Sequence, residues 1–258
     1  AVSGRLSQLD PPGSCRTDQK SEHVRGARSM AQGFAAIAIL RQRLVVEHQK
    51  RAVDVVVGLT RTRLDQRVER IAEEARLCGL GHDNLLRQEG FEPLFNRKDL
   101  YGWKGLVGDP VKRAGMSQEE LAAAQKKADE IMRQHWQVID SVLTFDGRGE
   151  SLCTAKDFCD FELFVDWKIE KGGDSGIYLR GSPQVQIWDP AQGPEGSGGL
   201  YNNQKNPSKP LKCADRPVGS WNTFYLKMVG ERVTVYLNGE LVVDNVVMEN
   251  YWERDKPI

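Results

Sequence analysis

The run "FELFVDWKIE" places Phe161, Leu163, Val165, Trp167 and Ile169 at alternate positions, with Glu162, Phe164, Asp166, Lys168 and Glu170 between them. Successive strand side chains point to opposite faces, so this run predicts a strand with one apolar face. "QVQIWD" repeats the pattern, setting Val185 and Ile187 against Gln184, Gln186 and Trp188. "GDSGIYLRG" does so again, with Ile177 and Leu179 on one side and Asp174, Gly176, Tyr178 and Arg180 on the other. "TFYLKMVGERVTVYLNGELVVDNV" resolves into three short strands, and Asn238-Gly239 suits a type I′ hairpin turn because both residues tolerate positive φ. Strands at this spacing, without strand–helix alternation, predict an antiparallel sandwich or jelly roll.

One helix is set into this all-β pattern. Ser117 and Glu120 form the S-x-x-E capping box, and Leu121, Ala124, Ala128, Ile131 and His135 define one face. His135 at the end of that face is read as a capping or packing residue rather than a ligand.

The residues ahead of the strands are patterned differently. Leu64, Val68, Ile71 and Ala75 fall at helical spacing, a second helix is expected over Phe34–Glu47, and "GFAAIAIL" reads as a buried helix turn rather than a signal segment. His23, His48 and His82 have no metal-ligand spacing. Up to Gln88 there are 13 Arg and 2 Lys against 10 acids, whereas the remainder carries an acidic excess and prefers lysine to arginine. The chain therefore divides into a helical or irregular leader, 1–88, and a β domain, 89–258. A helical cap, a linker and an extraneous leader all fit the first segment.

Bulk composition excludes several classes. With 258 residues, 40% hydrophobic and 28% charged, the chain has enough apolar surface for a packed core. Its net charge of zero removes any global argument for nucleic acid or an anionic membrane. No apolar run is long enough to span a bilayer. The five cysteines, at 15, 78, 153, 159 and 213, form no CxxC pair, which argues for reduced thiols rather than a zinc or redox site. Trp103, Trp167 and Trp221 are read as core residues.

Candidate chemistry lies on the second face of the strands. Taken together, that face offers Asp166, Lys168, Tyr178, Arg180, Gln184, Gln186, Trp188 and Lys227. A sugar ring needs an aromatic platform for its C–H face and fixed polar groups for its hydroxyls, and Gly176 leaves room for approach. A solvated outer face laced with ion pairs is the competing explanation. Tyr178 and Trp188 weigh against it, since a wet face has no need of large aromatics. The long loop "DPAQGPEGSGGLYNNQKNPSKP" supplies Tyr201, Asn202 and Asn203 and is read as a border of the cleft. It lacks the lysine and the strand–helix context of a phosphate loop.

"GFEPLFNRKDLYGWKG", "GDSGIYLRGSPQVQIWD", "GSGGLYNNQKNPSKPL", "PVGSWNTFYLKMVGERVTVYLNGELVVDNV" and "ENYWERDKPI" occur in one order over about 89–258. They closely resemble the 3-keto-disaccharide hydrolase domain family. The resemblance implies a concanavalin A-like jelly-roll sandwich with a sugar-binding concave sheet, in bacterial and typically exported proteins. It places the chain in the periplasm or outside the cell, although no signal peptide is visible here. It also implies cleavage of 3-keto-glycosides by C2 proton abstraction, elimination and hydration. On this sequence Asp166 or Asp174 becomes the candidate base and Arg180 the enolate clamp. Tyr178, Gln186, Trp188, Tyr201, Asn202 and Lys227 become sugar-binding residues, and a divalent cation is a possible source of positive charge. Asp174 alternatively caps a turn, Asp166 alternatively pairs with Lys168 or Lys227, and Asp189 ahead of Pro190 is a turn residue or a metal ligand. A non-catalytic carbohydrate-binding module on the same fold is the rival function. Family members usually continue through two more strands, so an open sheet edge is expected beside "ERDKPI". Arg97 stands where the family has the glycine of an Asn-Gly turn, and Cys159 where it has a small residue.

Overall fold

The computed structural model describes residues 91–181 and 184–258, together with the backbone of Arg43–Val45. The other sequence-based expectations for 1–88 lie outside the described residues.

The strands are β1 (Arg43–Val45), β2 (Glu92–Pro93), β3 (Trp103–Gly105), β4 (Trp136–Ile139), β5 (Val142–Phe145), β6 (Leu152–Thr154), β7 (Phe161–Trp167), β8 (Asp174–Tyr178), β9 (Gln184–Trp188), β10 (Asn222–Val229), β11 (Arg232–Leu237) and β12 (Glu240–Val247). Two helices, α1 (Pro110–Ala114) and α2 (Gln118–His135), lie between β3 and β4. Six strands form one antiparallel sheet in the order β12-β11-β10-β7-β1-β2, and β3-β6, β4-β5 and β8-β9 form antiparallel pairs.

Strand alternation builds the main core. Leu163, Val165 and Trp167 of β7 meet Phe224, Leu226 and Met228 of β10, and Val185 and Ile187 of β9 join the same cluster. The β8-β9 hairpin thus lies with its apolar side against the six-stranded sheet. The opposite side of that sheet carries a second cluster of Phe91, Phe164, Tyr225 and Tyr236. The turn between β11 and β12 has Asn238 at φ 55° and Gly239 at φ 87°, the double positive φ of a type I′ turn.

Helix α2 begins as its sequence directs: Ser117 Oγ accepts from the Glu120 N–H and the Glu120 carboxylate accepts from the Ser117 N–H. Its inward residues include Leu121, Ala124, Ala128 and Ile131, with Met132 the most deeply buried. The His135 ring pairs with Asp146 at 2.9 Å, and that bond is the main cause holding the Asp146 carboxyl below its ordinary range.

Two expectations are corrected. Arg43–Val45, within the expected helix over Phe34–Glu47, is a strand paired with β2 and β7. Pairing along the β7 edge outweighs a weak helical periodicity, and valines favour strands. Of the three tryptophans read as core, Trp167 is fully buried, Trp103 is half-buried, and Trp221 is exposed, with the Lys168 ammonium 5.2 Å from its ring centre. Trp221 stands just ahead of β10, outside the alternation that buries its strand neighbours. Of the described cysteines, Cys153 and Cys213 are free thiols.

Candidate functional site

The hairpin register gathers one row of polar and aromatic groups. Asp174 lies opposite Trp188, Gly176 opposite Gln186, and Tyr178 opposite Gln184. All six residues share the face turned away from the core, because Val185 and Ile187 occupy the other. Along this row Gln184 Nε2 donates to Gln186 Oε1 at 2.6 Å, and Gln186 Nε2 donates to Asp174 Oδ1 at 2.7 Å. The Gln186 side chain is only 3% exposed, whereas Asp174 is open to solvent. The two amides therefore aim an exposed carboxylate from a fixed, buried base.

The gap at Gly176 has a different occupant from the one expected. A Cβ there would meet Gln184 Oε1 at 2.4 Å and Gln184 Cβ at 3.0 Å, so the missing side chain makes room for the amide row rather than for a ligand. A similar exclusion fixes Trp188. Its indole lies so close to Gly193 that a Cβ would come within 2.1 Å of the ring, and its Nε1 donates to the Gly196 carbonyl at 2.9 Å.

Tyr201 stands edge-on to Trp188, with ring centres 6.1 Å apart. Burial is the chief cause raising the Tyr178 phenol above its usual range, followed by the fields of Tyr251, Asp174 and Tyr201. Tyr178 and Tyr201 remain 49% and 54% exposed. The loop holding Tyr201 is fixed by Asn203, which donates to the carbonyls of Pro207 and Val247 and accepts from the Glu249 N–H. Asn202 contributes its carbonyl to Arg254 Nη1 at 2.7 Å.

Three predicted residues lie elsewhere. Asp166 and Lys227 sit on β7 and β10, on the face opposite Val165 and Leu226, so the core separates them from the Asp174 row. Asp166 accepts from Thr223 Oγ1 at 2.6 Å, and Lys227 pairs with Glu162 at 3.4 Å. Arg180 follows the end of β8 with φ 52°, which interrupts the alternation. Its guanidinium donates from Nη2 to the Gly230 carbonyl in the β10–β11 turn. At about 3.3 Å per strand residue it also starts roughly 20 Å along the chain from Asp174. Asp189 is a turn residue: its two oxygens accept from the Gly172 and Ala191 N–H groups, which hold the carboxyl below its ordinary range.

Sequence reading gave the segment after β12 no part in the site. Tyr251 and Trp252 are 37% and 38% exposed and stand edge-on with centres 4.8 Å apart. Trp252 Nε1 donates to the Gly181 carbonyl beside the end of β8. The signals for it were the place of "ENYWERDKPI" among the family motifs and the two aromatics and arginine within "YWER".

Among the described residues no three His, Cys, Asp or Glu side chains assemble as a metal-binding group. No helix of the described residues is long and apolar enough to cross a membrane. A separate open depression of about 550 Å³ lies beside α2, bordered by Tyr101, Trp103, Met132 and Trp136. Its carboxylate, Asp99, is bound by the Asn96 amide and the Tyr101 N–H, and it lacks the aligned amides of the β8-β9 face.

Several known proteins are similar to this chain. A 3-keto-disaccharide hydrolase of Bacteroides thetaiotaomicron is 23% identical over 200 residues, covering 64% of this chain and 61% of that protein. The chain thus spans about three-fifths of the length of this curated relative. A crystal structure of a candidate glycosyl hydrolase from Parabacteroides distasonis aligns with a TM-score of 0.45 at 23% identity, over 64% of this chain and 69% of the other. A second structure from that organism gives the same score and identity over 63% and 74%. The profile of the 3-keto-alpha-glucoside-1,2-lyase-like domain matches residues 90–257, well over half of the chain, and the chain belongs to that family.

Proposed function

We propose that this chain cleaves glycosides oxidised at C3 of the sugar, with Asp174 as the base, on a jelly-roll scaffold. The observation that carries the reading is the row Gln184–Gln186–Asp174, which presents an aimed carboxylate opposite Trp188. A ketone at C3 acidifies the C2 proton. Asp174 takes that proton, and the C–H electron pair moves between C2 and C3 to form an enolate. Collapse of the enolate makes the C1–C2 double bond and expels the oxygen at C1, which leaves as the protonated alcohol. Water then adds across that double bond, and the sum is hydrolysis.

In this reading Trp188 and Tyr201 hold the sugar's C–H face, as aromatic rings do. Gln186 positions the base, and water protonates the departing oxygen. Asp166, Lys227 and Arg180 act through the scaffold. Action outside the cytoplasm belongs to the same proposal and rests on the family.

The test is sugar release from a 3-keto-glucoside, with the unoxidised glucoside as control, in deuterium oxide. The expected result is release from the keto substrate alone, deuterium at C2, and a loss of about 10²–10⁴-fold in Asp174→Asn. Release without C2 exchange, or undiminished in Asp174→Asn, overturns it.

One observation favours the second reading, a non-catalytic carbohydrate-binding module. The cationic side chain expected next to the base, Arg180, is turned to Gly230. That reading predicts equal binding of oxidised and unoxidised glycosides and no release from either.

A further inference from the structure

The segment after β12 crosses back over the chain and is tied at several points. Met248 is buried in the main core. The Glu249 carboxylate accepts from the backbone N–H groups of Gln204, Lys205 and Asn206 at 2.9, 2.6 and 2.7 Å. Asn250 Oδ1 accepts from the N–H groups of Trp252 and Glu253, both at 3.0 Å, which shapes the turn that carries the rings. Trp252 Nε1 is bound to the Gly181 carbonyl, and Arg254 is bound to Asn202 and pairs with Glu249 at 3.5 Å. The Arg254 guanidinium also lies 5.0 Å from the centre of the Tyr251 ring.

Rings held this firmly would ordinarily be covered. Here Tyr251 and Trp252 stay more than a third exposed, and Tyr178, which lies within the field of Tyr251, is half exposed. Large exposed aromatic surface in a fixed setting marks a binding site. The place of this surface along the groove is also defined. Tyr178 follows Asp174 by four residues, about 13 Å along β8, more than one sugar ring spans. A ring seated over Asp174 and Trp188 therefore leaves the Tyr178 end for another part of the same ligand.

We infer that Tyr178, Tyr251 and Trp252 form a second subsite that receives the leaving group of the glycoside and selects leaving groups with a flat apolar ring face over small alkyl groups. This inference rests on the β8-β9 face being the sugar site. A second sugar and an aryl group share the required chemistry, a ring with an apolar face.

Isothermal titration with unoxidised methyl glucoside, phenyl glucoside and a glucosyl-glucose disaccharide tests the subsite without turnover. The wild-type chain should bind the phenyl glucoside or the disaccharide about tenfold more tightly than the methyl glucoside, and whichever is preferred identifies the source of the ring. Trp252→Ala should abolish that preference while leaving methyl glucoside binding within about twofold. Trp252→Phe, which keeps a ring and loses the bond to Gly181, should retain most of the preference and shows that the fold survives. Equal or undetectable binding of all three glycosides, or an equal loss for all in Trp252→Ala, overturns the subsite. Ring-selective binding without release from any 3-keto-glycoside sinks the enzymatic reading and leaves the subsite standing.

Discussion

Gln186 donates to Asp174 across the β8-β9 pair at 2.7 Å while its own carbonyl accepts from Gln184. The carboxylate is therefore aimed by a residue buried in the hairpin itself. Replacing Gln186 with Leu removes the donor and leaves the Gln184 amide without its acceptor. Losing one buried partner costs about 1–3 kcal/mol of stability. Under the proposed mechanism, kcat on a 3-keto-glucoside should fall about 10- to 100-fold with KM little changed, because the base is misaimed while the aromatic platform remains. Steady-state kinetics beside a melting curve checks this. A rise in KM at constant kcat would make Gln186 a binding residue instead.

Gly193→Ala tests the platform. The new methyl group overlaps the Trp188 indole and must displace it from its bond to Gly196. Binding of methyl glucoside should weaken about tenfold, and the tryptophan emission should move to longer wavelength as the ring gains water. Unaltered binding with a displaced ring would remove Trp188 from the sugar site.

Glu249 links the loop after Leu200 to the segment after β12. Burial acts to raise its pKa, but the N–H groups of Gln204, Asn206 and Lys205 outweigh it, and the carboxyl titrates below the ordinary glutamate range. A depressed folded pKa contributes stability that is present above the unfolded pKa and lost as pH falls through the folded one. Near neutral pH, Glu249→Gln should lose about 1–2 kcal/mol, in keeping with charge-assisted bonds. The gap in melting temperature between wild type and variant should close as pH is lowered beneath the ordinary glutamate pKa. A gap that stays constant with pH would show that the charge contributes nothing.

Arg97 occupies the left-handed region at φ 65°. A non-glycine residue there carries a cost of about 1–2 kcal/mol, partly offset by the greater entropy glycine loses on folding. Arg97→Gly should therefore stabilise by about 0.5–1 kcal/mol, read as a higher denaturation midpoint at unchanged slope. A lower midpoint would mean that the contacts of the arginine side chain outweigh its backbone strain.

The hairpins were legible in the sequence because period-two alternation and Asn238-Gly239 specify strand, turn and register locally. The amide row was legible only as a set of residues on one face. Asp166 and Lys227 went astray for a physical reason: alternation says which side chains share a face of one strand, not on which side of the core that strand lies. Arg180 went astray because a single positive φ ends the alternation, and nothing in "YLRG" signals it. Tyr251 and Trp252 lie in a segment without periodicity, where position depends on hydrogen bonds to Gly181, Gln204 and Asn202, residues distant in sequence. The strand at Arg43–Val45 depends likewise on an edge offered by β7.

The pairing of Asp174 with Trp188 and of Gly176 with Gln186 ties folding accuracy to chemistry. A slip of β9 by a single residue against β8 would bring Ile187 alongside the carboxylate and drive the Gln186 amide into the hydrocarbon interior. A misregistered chain would thus lose its core and, under the proposed mechanism, its aimed base in the same event. If the proposed mechanism holds, no form with this slip would survive as a stable but defective catalyst, and activity per mole would follow the correctly registered fraction.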